Sequence, residues 1–111
     1  MVDDHFNVEI RGDDRTTVLT LSGELDLASS SELEEALERV TGWGTHVVVL
    51  DMTELEFMDS TGLQVLVKAQ LRADEGGPRL EVITGSRQVR RLLRVTGADR
   101  CLTMMDAPQN R

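Results

Sequence analysis

Val47-Val48-Val49-Leu50-Asp51-Met52-Thr53-Glu54-Leu55-Glu56-Phe57-Met58-Asp59-Ser60-Thr61-Gly62-Leu63 is the stretch that decides the fold. Val47 to Leu50 is an unbroken apolar run, which reads as a central strand covered on both faces. The acidic segment that follows reads as the loop leaving that strand. Asp59-Ser60-Thr61-Gly62 then opens a helix that begins at Ser60 or Thr61 and runs to about Ala73, where Asp74-Glu75-Gly76-Gly77-Pro78 breaks it. Leu63, Val65, Leu66, Val67, Ala69 and Leu71 make this helix apolar on more than one side. Such a helix is either deeply buried or offers its surplus face to a partner.

Working outward, Phe6, Val8 and Ile10 alternate with polar residues as in a half-buried strand, and Gly12-Asp13-Asp14 supplies a turn. Thr17 to Leu21 is the hairpin partner, closed by Ser22-Gly23. A helix follows with Leu33, Ala36, Leu37 and Val40 on one face; Ser31 and Glu34 form a capping-box pattern at its start, and Gly42 and Gly44 end it. On the far side, Leu80 to Ile83 is a short strand, Ser86 caps a helix carrying Val89, Leu92 and Leu93, and Gly97 terminates it. Leu102 to Met105 reads as a last edge strand. The order β-β-α-β-α-β-α-β predicts an α/β fold: a four- to five-stranded mixed sheet, opening with a β-hairpin and flanked by helices. No repeat, linker or low-complexity segment interrupts it, so residues 1–111 are expected to form a single domain.

Composition narrows the function. Hydrophobic residues make up 40% and charged residues 29%, ordinary globular usage. Aromatics are 3% and the net charge is −8, which argues against stacking platforms and against nucleic acid as a partner. The single Cys101 forms no CxxC pair, and His5 and His46 lie far apart without ligand spacing, so no metal and no cofactor are expected. Met1 to Asp4 shows no basic or apolar leader, and no run is long enough to span a membrane, which predicts a cytoplasmic protein with no membrane association. No catalytic carboxylate pair, no nucleophile with a histidine base and no P-loop can be read, so no catalytic residue and no enzyme activity are expected.

Chemistry concentrates at the opening of the second helix. Its first N–H groups lack intrahelical partners and its macrodipole is positive there, so a phosphoryl group on Ser60 would be tolerated. Ser60 or Thr61 also fits an ordinary N-cap, and Gly62, lacking a Cβ, would let another chain approach closely. Two motifs, Gly23-Glu24-Leu25-Asp26 and Phe57-Met58-Asp59-Ser60-Thr61-Gly62-Leu63, make the chain similar to STAS domains, and within them to the stand-alone bacterial anti-sigma-factor antagonists. That resemblance implies a STAS-type fold. It also implies binding to a cognate anti-sigma factor that is a serine-protein kinase, release of a sigma factor, and phosphorylation at Ser60 reversed by a serine phosphatase. It makes Asp26, and more weakly Glu24, part of a partner surface with Asp59, Ser60, Thr61 and Gly62. On that reading, Asp26→Lys weakens binding with little loss of stability.

Two other readings remain open at this level. A regulatory or scaffold STAS module acting on a partner outside sigma-factor control would carry the same motifs. A receiver-like phosphoacceptor domain would use Asp51 at the end of its central strand, but receivers open β-α-β and place a lysine near a late strand end, whereas Lys68 falls mid-helix. From Arg79 to Arg100 six arginines stand against Glu81 and Asp99, a net of +4, so the rest of the chain carries −12. This basic helix is either a docking surface or a solvated outer face. Met52, Met58, Met104 and Met105 fit either an adaptable contact surface or core filling.

Overall fold

In the computed structural model, residues 5–106 are described; Met1 to Asp4, with the reading of a leaderless start, lie outside them, as do 107–111. Strands β1 (Phe6–Gly12) and β2 (Thr16–Leu25) form the expected antiparallel hairpin. Asp13 holds the turn, its Oδ1 accepting from the backbone N–H groups of Arg15 and Thr16 at 2.9 Å each. Ser22-Gly23 does not close β2. Gly23 adopts φ +88° at a register shift, where an added Cβ would collide with the His5 carbonyl oxygen, and the strand continues past it to Leu25.

Helix α1 (Ser30–Gly42) buries the four residues its spacing predicts, Leu33, Ala36, Leu37 and Val40. Its start differs from the expected one. The Ser31–Glu34 capping box does not form, because the turn at Asp26 claims the helix opening first: Ser29 and Ser30 donate their N–H groups to the Asp26 carbonyl at 3.1 and 2.8 Å, and Ser31 is already helical.

Strand β3 (Val47–Met58) corrects the reading of the central stretch twice. From Val47 to Met52 burial alternates, with Val48, Leu50 and Met52 buried and Val47, Val49 and Asp51 only half-buried, so one face is fully covered rather than two. The acidic segment expected as a loop is strand as far as Met58. The β2 register shifts twice along it, each time placing an extra residue in β3, and the inward spacing lengthens from two to three: Met52, Leu55, Met58, all without exposed surface. Beyond Met52, β3 has left β4 (Arg79–Thr84) behind and pairs with β2 alone.

Helix α2 (Ser60–Asp74), β4, α3 (Arg87–Thr96), a short α4 (Ala98–Cys101) and β5 (Met104–Met105) complete the chain. Ser86 caps α3 by accepting from Val89 N–H, and Gly97 at φ +81° ends it, both as predicted. Helix α4 and the shortening of β5 to Met104–Met105 were not legible: Ala98 and Leu102 are drawn into the core, which turns the chain before the last strand. The sheet order is β1-β2-β3-β4-β5, the first pair antiparallel and the others parallel. One row crosses all five strands, Ile10–Leu19–Leu50–Val82–Met104, and its three inner members are wholly buried. This is the expected mixed sheet flanked by helices, with five strands where four or five were expected. No helix among the described residues is long and apolar enough to cross a membrane.

Candidate functional site

The carboxyl ends of β2 and β3 lie side by side, Leu25 opposite Met58, and both chains turn into helices there. The residue that opens α2 is Asp59 rather than Ser60 or Thr61. Asp59 is extended (φ −106°, ψ −172°), and its Oδ1 accepts from Thr61 N–H at 2.9 Å, Gly62 N–H at 3.1 Å and the Thr61 hydroxyl. Burial by itself raises the Asp59 carboxyl. The donors from Thr61 and Gly62, joined by the Leu27 N–H, outweigh that and hold it below the usual carboxylate range. Asp59 also donates its own N–H to the Leu25 carbonyl at 3.1 Å, so the two motifs are tied together at the backbone.

This assignment separates the two hydroxyls. Thr61 is half-buried and committed to Asp59. Ser60 sits in the first helical position, exposed, and its hydroxyl has no hydrogen-bond partner among the described residues. It forms one wall of an open hollow of about 390 Å³ with Leu63, Gln64, Val67 and Lys68. The helix start offers an added phosphate less than a bare N-terminus would, because Asp59 already occupies the Thr61 and Gly62 N–H groups. Gly62 is buried, and the close approach that its missing Cβ permits is internal: a Cβ would stand 2.7 Å from Leu25 Cγ and 3.0 Å from the Leu25 carbonyl oxygen. The expectation that Gly62 admits another chain is corrected on that ground.

Asp26 organises the neighbouring turn. Its Oδ1 accepts from Ala28 N–H at 3.0 Å and from the Ser29 hydroxyl, and its Oδ2 lies 2.7 Å from His5 Nε2. The bond to His5 does most to pull its carboxyl below the usual range. Glu24 is exposed, its Oε1 3.6 Å from His5 Nδ1. A substitution at Asp26 therefore disturbs the turn as well as the surface, which corrects the expectation that Asp26→Lys leaves stability almost unchanged. His5 gave no sign of this role, since its neighbours are 19 and 21 residues away in sequence. His5, Glu24 and Asp26 are the one group of three such side chains among the described residues with potential ligand atoms within 4.8 Å of one another, and the imidazole already uses that proximity for its hydrogen bond.

Gln88 is a second residue missed by sequence reasoning. From the first turn of α3 its Oε1 accepts from Met58 N–H and its Nε2 donates to the Met58 carbonyl, both at 2.9 Å. It clamps the residue before Asp59 where β4 no longer reaches. Exposed apolar residues stand on the same elements: Leu27 is 77% exposed next to Asp26, and Phe57 on β3 and Val67 and Leu71 along α2 are also open, so α2 does carry a surplus apolar face. Asp51, by contrast, lies mid-strand, its Oδ1 taken by the Thr53 N–H and hydroxyl, which removes the strand-end aspartate a receiver needs.

The family described as "Mlab, STAS domain" matches residues 8–105. The chain belongs to the STAS-domain family. Among curated relatives, this STAS domain is 31% identical to the anti-sigma-B factor antagonist of Staphylococcus epidermidis over 93 residues, 84% of this chain and 86% of that one. Among solved structures, an anti-sigma factor antagonist from Mycobacterium paratuberculosis matches with a TM-score of 0.82 at 24% identity, covering 93% of this chain and 87% of that one. The Bacillus cell fate determinant SpoIIAA in its phosphorylated form matches with a TM-score of 0.70 at 21% identity, covering 93% of both chains.

Proposed function

We propose that this STAS domain is an anti-sigma-factor antagonist, a cytoplasmic protein of one domain that acts by binding rather than by catalysis. Its partner is an anti-sigma factor, and binding that factor frees a sigma factor. The partner is also a serine-protein kinase that modifies Ser60, and a serine phosphatase restores the free hydroxyl. The observation that carries the reading is the division of labour at the start of α2: Asp59 does the capping, the Thr61 hydroxyl is committed to it, and Ser60 is left exposed and unbonded beside an apolar hollow. The naming of its curated relatives as anti-sigma-B factor antagonists supports the partner class.

The binding surface in this reading comprises Asp26 and Glu24 at the end of β2, Leu27 beyond them, and Asp59, Ser60 and Thr61 at the start of α2. Phosphorylation adds about −2 charge next to the Asp59 carboxylate. The nearest helix N–H groups are already engaged, so the new charge faces outward, and binding falls through repulsion and lost fit with little change of fold. The test is incubation with the cognate anti-sigma factor and ATP followed by mass spectrometry. Ser60→Ala abolishes modification and retains binding, and Ser60→Asp binds poorly. Modification of Thr61 or Asp51 with Ser60 untouched overturns the assignment.

A further inference from the structure

Helix α3 carries Arg87, Arg90, Arg91 and Arg94, all exposed. At about 100° per residue the four fall within an arc of roughly 100°. Val89 and Leu93, both buried, project to the other side. Every close neighbour along that arc is another arginine: 87 with 90 and 91, 94 with 90 and 91. Like charges at these spacings repel, and Arg87 stands in the first turn, where the helix dipole disfavours a cation. None of the four makes an ion pair among the described residues, nor does Arg100 in α4, whereas Lys68, Arg72 and Arg79 reach Glu34, Glu38 and Glu81. An unrelieved row of this kind is built at a cost to the helix, in a chain that is otherwise strongly acidic.

We propose that the arginine row of α3 is a second docking surface, and that it receives an acidic helix of a protein partner. A helix with carboxylates at i, i+3, i+4 and i+7 repeats the spacing of the row and can meet each guanidinium in turn. Between α3 and β5, a hollow of about 220 Å³ lined by Thr84, Arg90, Leu93, Arg94, Asp99 and Met104 gives such a helix an apolar foothold beside the row, with Asp99 the one carboxylate in its walls. Nucleic acid fits less well. The row is only about 10 Å long, and outside residues 79–100 the chain carries a net charge of −12, which repels a polyanion that runs past the row. The inner side of α3 holds Met58 and Glu56 through Gln88 and Ser86, so the outward row is free to bind without releasing β3. This surface is independent of the reading of Ser60.

The test is an NMR titration of the isotopically labelled chain with a designed helical peptide bearing glutamates at i, i+3, i+4 and i+7, and with a sequence isomer that scatters the same glutamates around the helix. Duplex DNA and phosphatidylglycerol vesicles are titrated in parallel. The expected result is tighter binding of the ordered peptide, with shifts confined to residues 87–105. Affinity falls by about tenfold in Arg90→Glu/Arg94→Glu, the scale for two exposed ion pairs turned into repulsion. Arg90→Lys/Arg94→Lys, which keeps the charge, lies between that variant and the unaltered chain, and circular dichroism checks that both variants are folded. Equal affinity for the two peptides, no binding of either, or binding of DNA or vesicles as tight as that of the ordered peptide overturns the proposal.

Discussion

Replacing Asp59 with alanine removes an acceptor that holds two backbone N–H groups and one hydroxyl at the start of α2. Loss of an N-cap costs about 0.5–2 kcal/mol, and the charge on this one places it in the upper half of that range. For a domain of this size about 1 kcal/mol moves the melting temperature by roughly 4 °C, so Asp59→Ala melts about 4–8 °C lower. Asp59→Asn keeps an acceptor of nearly equal capping strength and loses less than half as much. Ser60→Ala, at an exposed position with an unbonded hydroxyl, stays within about 0.5 kcal/mol, or roughly 2 °C. The Asp59 carboxyl lies below its ordinary range in the folded chain, so its contribution is complete above the unfolded value near pH 4 and is lost as pH falls through the lowered folded value. The gap between the unaltered chain and Asp59→Ala therefore narrows on acidification. Thermal unfolding followed by far-ultraviolet circular dichroism, at neutral pH and near pH 3, reads both effects. A Ser60→Ala variant that melts below Asp59→Ala, or a gap that acid leaves unchanged, refutes the assignment of the cap.

Gly62→Ala forces a methyl group against Leu25, which is wholly buried and has nowhere to move, so it costs about 1–3 kcal/mol in chemical denaturation. A variant as stable as the unaltered chain counts against the close packing at that point. Leu27→Asp, at the most exposed apolar residue of the site, weakens capture of the anti-sigma factor in a titration while the melting temperature holds within about 2 °C; unchanged affinity moves the surface elsewhere. Gln88→Ala leaves the Met58 N–H and carbonyl without their side-chain partners and costs about 1–3 kcal/mol. Hydrogen exchange shows this as faster opening at Met58 and Asp59, and unchanged exchange there contradicts the clamp.

The hairpin, the buried face of α1, the extent of α2 and both ends of α3 were legible because each is set by local chemistry: alternation, helical spacing, a capping serine, a terminal glycine. The second half of β3 was not. Asp51, Thr53, Glu54 and Glu56 look like loop residues, and what makes them strand is pairing with a β2 segment about thirty positions earlier, through two shifts that break the period-two pattern. The cap of α2 was misread by one residue because aspartate, serine and threonine all cap well and stand in succession; only the backbone geometry chooses among them. His5 and Gln88 act across the fold, on Asp26 and Met58, and no local pattern marks them.

The two extra residues in β3 also govern which changes of length the chain can accept. They set the phase in which Met58 turns inward, and hence the direction in which Asp59 and Ser60 leave the sheet. Deleting Glu56 brings Asp59 into the inward place three positions past Leu55 that Met58 fills, and inserting a residue there brings Phe57 into it; either change turns the start of α2 away from Leu25. A viable lineage can therefore lengthen or shorten this segment only by paired changes that cancel, whereas the Gly76-Gly77 turn after α2, exposed and far from the site, can absorb single insertions.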